Sequence, residues 1–145
     1  GRHDPDCRRA FPWDENRWDN ELLAYTKDVI AMRKAHPALR RGSYQPLYAA
    51  DGVYAFGRKL DAETLVIALN AAEETRTIDI AVESLHLADG SLTAIFGRTQ
   101  ASVQDGKINS LRLAPRSAVV LERNKQENDQ TQRYLTLSCQ LAKGN

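Results

Sequence analysis

The run Thr64-Leu65-Val66-Ile67-Ala68-Leu69-Asn70 is the most apolar short stretch of the chain, with Asp61 and Glu63 on one side and Glu73 and Glu74 on the other. Its continuous apolar residues, Leu65 to Leu69, are too few for a buried helix. They are also too continuous for a strand with one wet face, which would alternate polar and apolar positions. The run therefore predicts a central strand covered on both faces. The segments around it alternate with period two, which places this strand as the spine of an antiparallel sandwich.

After Arg40-Arg41-Gly42 the apolar period changes from that of a helix to that of strands and does not change back. A first strand holds Tyr44, Leu47 and Tyr48, and Pro46 within it confines it to an edge or a bulge, because proline has no N–H for the ladder. Asp51-Gly52 is a hairpin signal leading into Val53 to Arg58. Beyond the spine, Ile78, Ile80 and Val82 alternate with Thr77, Asp79 and Ala81. Asp89-Gly90 then precedes Leu92 to Phe96, Asp105-Gly106 precedes Ile108 to Leu113, and Pro115-Arg116-Ser117 leads into Ala118 to Leu121. The expected fold is mainly β, an antiparallel Greek-key-like β-sandwich of about seven or eight strands preceded by one amphipathic α-helix.

That helix is predicted after Asp19, whose side chain can cap the free amides, with Glu21 favoured by the positive end of the helix dipole. Leu22, Leu23, Thr26, Val29, Ile30 and Arg33 recur at three- and four-residue steps, so this stripe is expected to dock. Pro37 pushes the residue before it out of helical geometry and makes His36 the expected last helical position. Residues 1–18, GRHDPDCRRAFPWDENRW, have neither period and read as a loop, while 19–42 form the helix and turn and 43–123 the sandwich. Residues 124–145 open on the polar run Asn124 to Arg133, which cannot offset its ordering entropy by burial, and read as a tail.

The chain has 145 residues, enough for one domain with a core and a short appendage. Lys and Arg number 20 against 19 Asp and Glu, and the two signs are interspersed, which argues against nucleic acid as a partner. No apolar run is long enough to span a membrane. No address is legible, and a cytoplasmic location is favoured. Cys7 and Cys139 stand near opposite ends, a pattern of free thiols and not of a disulfide framework. His3, His36 and His86 have no metal-ligand spacing, and there is neither a nucleophile elbow nor a phosphate loop, so no metal, cofactor or catalytic residue is expected.

The terminal loop holds what chemistry there is. Asp4 and Asp6 flank Pro5 and are followed by Arg8 and Arg9. These charges can form a salt-bridge cluster that fixes the loop. Equally, a carboxylate and a guanidinium four residues apart on a stiff loop can grip sugar hydroxyls. Trp13 and Trp18 read as packing anchors before sugar platforms, because large aromatics bury.

The order of blocks His3-Asp4-Pro5-Asp6-Cys7-Arg8-Arg9-Ala10-Phe11-Pro12-Trp13, the helix Leu22 to Leu39, Arg41-Gly42, Gly52 to Phe56 and Val66 to Asn70 resembles the C-terminal part of an α-amylase-family glycoside hydrolase, of the neopullulanase, cyclomaltodextrinase and maltogenic amylase type. The resemblance implies that the chain corresponds to the loop after the eighth strand of a (β/α)₈ barrel, the eighth helix and the all-β domain that follows. It further implies that Asp4 and Arg8 contact a glucose unit on the non-reducing side of the cleaved bond. The family's catalytic carboxylates belong to earlier strands, so the expected function is a noncatalytic C-terminal piece of an α-glucan hydrolase. Its partner would be an α-glucan or maltooligosaccharide, met through the parent enzyme. The helix stripe is expected to find the sandwich or a second copy of the chain. The alternative is a free-standing β-sandwich that binds oligosaccharide or a protein partner.

Overall fold

The computed structural model describes residues 2–123. A loop with one 3-10 turn, Glu15–Arg17, leads to α1 (Asn20–Ala35) and the single turn α2 (Ala38–Arg41). Eight strands follow: β1 (Ser43–Ala50), β2 (Val53–Leu60), β3 (Glu63–Asn70), β4 (Arg76–Ala81), β5 (Gly90–Phe96), β6 (Ala101–Gln104), β7 (Lys107–Leu113) and β8 (Ser117–Arg123). They form one sheet in the order β1-β2-β3-β8-β5-β6-β7-β4, and each pairing is antiparallel. The meander β5-β6-β7 with β4 laid beside β7 is a Greek key. The sheet curls until its edge strands β1 and β4 touch and β3 faces β7, which makes two layers around one core.

Local chemistry accounts for the turns. Asp51-Gly52 and Asp105-Gly106 join β1 to β2 and β6 to β7, with positive φ at both residues of each pair (51° and 74°, 49° and 71°). Those are the angles of the two-residue turn whose twist matches that of the flanking strands. Pro46 lies where the β1 register shifts, between Pro46 and Tyr48, on an edge strand. The spine strand β3 is buried on both faces as its composition requires. Val66 and Ala68 enter the interior with Ile80, Ile108 and Leu113. Leu65 and Ile67 point the other way, into a second cluster with Ala38 and Val120 that Met32, Leu39, Phe56 and Phe96 flank.

Asp19 caps α1 through its carboxylate, which accepts from the Leu22 N–H at 2.9 Å, and His36 is the C-cap. The face that docks differs from the expected one. No α1 residue is buried, and Leu22 and Ile30 are 59% and 48% exposed. Contact with the sheet runs instead through Tyr25, whose ring meets Phe96 at 5.7 Å, and through Met32. Tyr25, Val29, Met32 and His36 lie at steps of four, three and four residues, a line displaced to one side of the predicted stripe. At the C-terminal end of α1, after the C-cap His36, Pro37 turns the chain into α2. Residues 124–145, read as a polar tail, and Cys139 with them lie outside the described residues.

Candidate functional site

Asp4 and Arg8 sit in the loop before α1 and hold each other. Arg8 Nη2 donates to Asp4 Oδ2 at 2.7 Å and lies 2.5 Å from Oδ1, so a single guanidinium nitrogen sits between both carboxylate oxygens. The Arg8 N–H donates to the Pro5 carbonyl at 3.0 Å, closing a turn over residues 5–8 that follows a cis Asp4–Pro5 bond. Asp6 lies 3.9 Å from Arg2 and 3.6 Å from Arg9, so both carboxylates carry guanidinium partners. The Asp4 and Arg8 side chains are 63% and 73% exposed. The loop is thus a salt-bridge cluster, and it also leaves the polar atoms of Asp4 and Arg8 open to a ligand. An open hollow beside it is lined by Arg2, Asp6, Arg9 and Phe11 among others, and Asp4 and Arg8 are not on its wall.

The two tryptophans divide. Trp18 is half-buried, donates its indole N–H to the Pro12 carbonyl at 2.5 Å, and meets Phe11 at 5.6 Å with the rings tilted by 59°. Trp13 is 81% exposed and touches only the edge of Phe11 among the ring contacts, so its expected role as an anchor does not hold within the described residues.

The second concentration of polar groups lies where helix and sheet join. His36 Nδ1 is 2.9 Å from Glu63 Oε1, and Glu63 Oε2 accepts from the Ala38 N–H at 2.6 Å. Glu122, on the neighbouring strand β8, brings a second carboxylate to this point, with ligand-type atoms of all three residues within 4.8 Å. Both oxygens of Glu63 are engaged, so the arrangement works as a joint between α1, α2 and β3. Sequence reading treated His36 as a helix-end residue and passed over Glu63, because the two are 27 residues apart and nothing local links them. A third feature was also unread. Tyr44, Tyr54 and Phe56 form a ring cluster on the outer surface of β1 and β2, with centroids 5.3 and 5.7 Å apart and the two phenol hydroxyls hydrogen-bonded.

Chemically, the Asp4–Arg8 pair can bind hydroxyls and cannot by itself cleave a glycosidic bond. Retaining hydrolysis needs two carboxyls about 5 to 5.5 Å apart across that bond, one as nucleophile and one as acid. Asp4 and Asp6 instead share one exposed loop and are each neutralised by arginine.

An eight-stranded Greek-key sandwich behind a terminal helix defines an all-β domain with a helical lead-in. Residues 42–121 match the α-amylase C-terminal domain model, and the chain belongs to that family. It is 36% identical over 80 residues to a cyclomaltodextrinase of a Bacillus species, which covers 54% of this chain and 14% of the relative. An amylopullulanase of Thermoanaerobacter thermohydrosulfuricus is 34% identical over 122 residues, 74% of this chain and 8% of its own length. Among solved structures, the α-amylase of Geobacillus thermoleovorans complexed with acarbose superposes with a TM-score of 0.74 at 29% identity, covering 86% of this chain and 27% of that one. The Nostoc punctiforme debranching enzyme does so at 0.67 and 37%, covering 82% and 24%. The chain therefore spans only a small part of each of these relatives.

Proposed function

We propose that this chain is the C-terminal part of an α-glucan hydrolase and that it serves the activity of the longer polypeptide without performing catalysis itself. The observation that supports this best is the disparity in coverage: 86% of the chain superposes on a solved α-amylase of which it represents 27%. In this reading residues 1–18 are the last loop of a barrel-like region, 19–42 its closing helix and turn, and 43–123 the β-domain. Asp4 and Arg8 contact a glucose unit of a maltooligosaccharide bound to the parent enzyme. Their mutual pairing supports the role, since it holds a carboxylate and a guanidinium side by side at the surface where a sugar's adjacent hydroxyls can take up the remaining lone pairs and N–H groups. In the isolated chain the exposed side of α1 is open to a second copy, giving a homodimer through the helix.

Determining the reading frame upstream of the Gly1 codon tests this reading. A frame that continues into a barrel-type domain supports it, and purified long protein then hydrolyses an α-glucan with a raised KM in Asp4→Ala. A start codon at this position overturns it.

A further inference from the structure

The joint at the end of α1 holds more negative charge than a joint requires. Glu63 and Glu122 project from one face of adjacent strands, since Glu122 pairs across from Leu65 and Glu63 stands two residues before Leu65. Such a diagonal pair is about 7 to 8 Å apart at the backbone, within the reach of two long side chains. The two carboxylates converge with the His36 imidazole, and one donor atom from each of the three lies within 4.8 Å of the others. Among the described residues this is the one group of three His, Cys, Asp or Glu side chains that meets so closely. All three are half-buried, with the His36 and Glu63 side chains 18% and 20% exposed. Two carboxylates and one imidazole stay net negative whether or not the ring is protonated, and like charges withdrawn from bulk water repel. The Arg58 guanidinium, across from Leu65 on β2, directs its Nε–H to the Ala38 carbonyl at 3.2 Å.

The donors are also held in place from behind. Glu63 Oε1 faces His36 Nδ1 at 2.9 Å, while Oε2 accepts from the Ala38 N–H at 2.6 Å, an outer hydrogen bond of the kind that orients ligating carboxylates. His36 is fixed by its own N–H, which donates to the Met32 carbonyl at 3.0 Å. Zinc bonds of about 2.0 to 2.2 Å to nitrogen and oxygen put the donors of a tetrahedral site roughly 3.3 Å apart. The His36–Glu63 pair therefore needs to open by only a few tenths of an ångström, and the flexible Glu122 side chain to close the rest.

We propose that His36 Nδ1, one oxygen of Glu63 and one oxygen of Glu122 form a structural site for a single Zn²⁺ ion, with water in the fourth position, that clamps the end of α1 to β3 and β8. One imidazole nitrogen with two carboxylate oxygens is a donor set that suits zinc, whereas calcium and magnesium favour shells made of oxygen. On binding, Nδ1 exchanges its hydrogen bond with Glu63 for coordination through its lone pair, and the ring hydrogen resides on Nε2. The dication offsets the two carboxylate charges, and Glu63 keeps its second oxygen on the Ala38 N–H. All three ligands belong to the described chain, so the inference stands apart from the proposed function.

Titration of zinc chloride into the metal-free 145-residue protein, followed by NMR of the imidazole and amide signals and by calorimetry, tests this. The expected result is saturation at one equivalent, with shifts centred on the His36 ring and the Ala38 amide and a Tm that rises with free zinc. Glu122→Gln keeps the shape of the side chain and removes its charge, and it should weaken zinc binding at His36 at least about tenfold. His36→Gln can still donate to Glu63 while lacking the imidazole ligand, and it should weaken binding as much; either variant that folds carries the test. No saturable shift at His36, or an affinity unchanged in a folded variant, overturns the proposal. Shifts confined to His3 and Cys7 assign the ion to the terminal loop and overturn it as well, as does displacement of the zinc by an equal concentration of calcium.

Discussion

Glu63, the first residue of β3, binds the imidazole of His36 through one carboxylate oxygen at 2.9 Å and the Ala38 N–H through the other at 2.6 Å. One side chain thereby fastens the end of α1 and the start of α2 to the middle of the sheet, above the fully buried Ala38. Glu63→Ala leaves a half-buried amide and imidazole unpaired. With hydrogen bonds to a charged group contributing about 1.5 to 3 kcal/mol each, and some of that returned by water, the expected loss is about 2 kcal/mol in urea unfolding. Glu63→Gln keeps one acceptor and loses less. Hydrogen exchange of the Ala38 amide, faster in both variants, locates the effect at the joint.

Asn70 is the single buried polar side chain among the described residues, 2% exposed. Its amide donates to the carbonyls of Glu74 and Ala114, each at 2.8 Å, and its oxygen accepts from the Ala72 N–H at 3.0 Å. Asn70→Leu is close in size and removes all three bonds. Because each orphaned buried group costs about 1 to 3 kcal/mol, the expected loss is at least about 3 kcal/mol. A chemical denaturation midpoint within error of the parent's contradicts this account.

Gly57 lies against Leu85, and a Cβ built on Gly57 would fall 2.4 Å from Leu85 Cδ2. Gly57→Ala therefore overpacks a filled interior, with an expected cost of about 1 to 3 kcal/mol. In a Leu85→Ala background the same substitution should cost less, and the double-mutant cycle measures that coupling. Additive losses refute the steric explanation.

The isolated chain is expected to release no sugar from pullulan, cyclodextrin or maltose, and reducing-end assays of pure protein check this directly. Asp4→Ala should leave its stability within about 0.5 kcal/mol, because an exposed ion pair contributes little. Maltotriose should bind no tighter than about millimolar, since two or three charge-assisted hydrogen bonds barely exceed the entropy of immobilising a sugar. Saturable amide shifts at micromolar ligand, centred on Asp4 and Arg8, contradict that expectation.

The parts legible in the sequence are those specified by neighbours. The unbroken apolar run of β3 announced two covered faces, Pro46 announced an edge or a bulge, Asp51-Gly52 announced a hairpin and Asp105-Gly106 a turn. Strand β6 was not delimited, because only Val103 of its four residues is buried and no alternation can develop over that length. Helix α2 was hidden between Pro37 and Gly42, too short to show a period. The docking face of α1 was misjudged because Tyr25 and Met32 were left out of the apolar pattern, although they make the contact. At the candidate site, the four-residue spacing of Asp4 and Arg8 disclosed their pairing. A sugar contact depends on walls contributed by residues far away along a chain, and no local pattern encodes those.

Both edges of the curled sheet are irregular: the β1 ladder shifts register between Pro46 and Tyr48, and the β4 ladder between Ile78 and Ile80. An edge strand with an even row of free N–H and C=O groups is a template on which further chains can add, and a missing N–H or a bulge spoils that template. These two defects give the domain protection against ordered aggregation. Growth strand by strand into fibrils is thereby disfavoured at both edges.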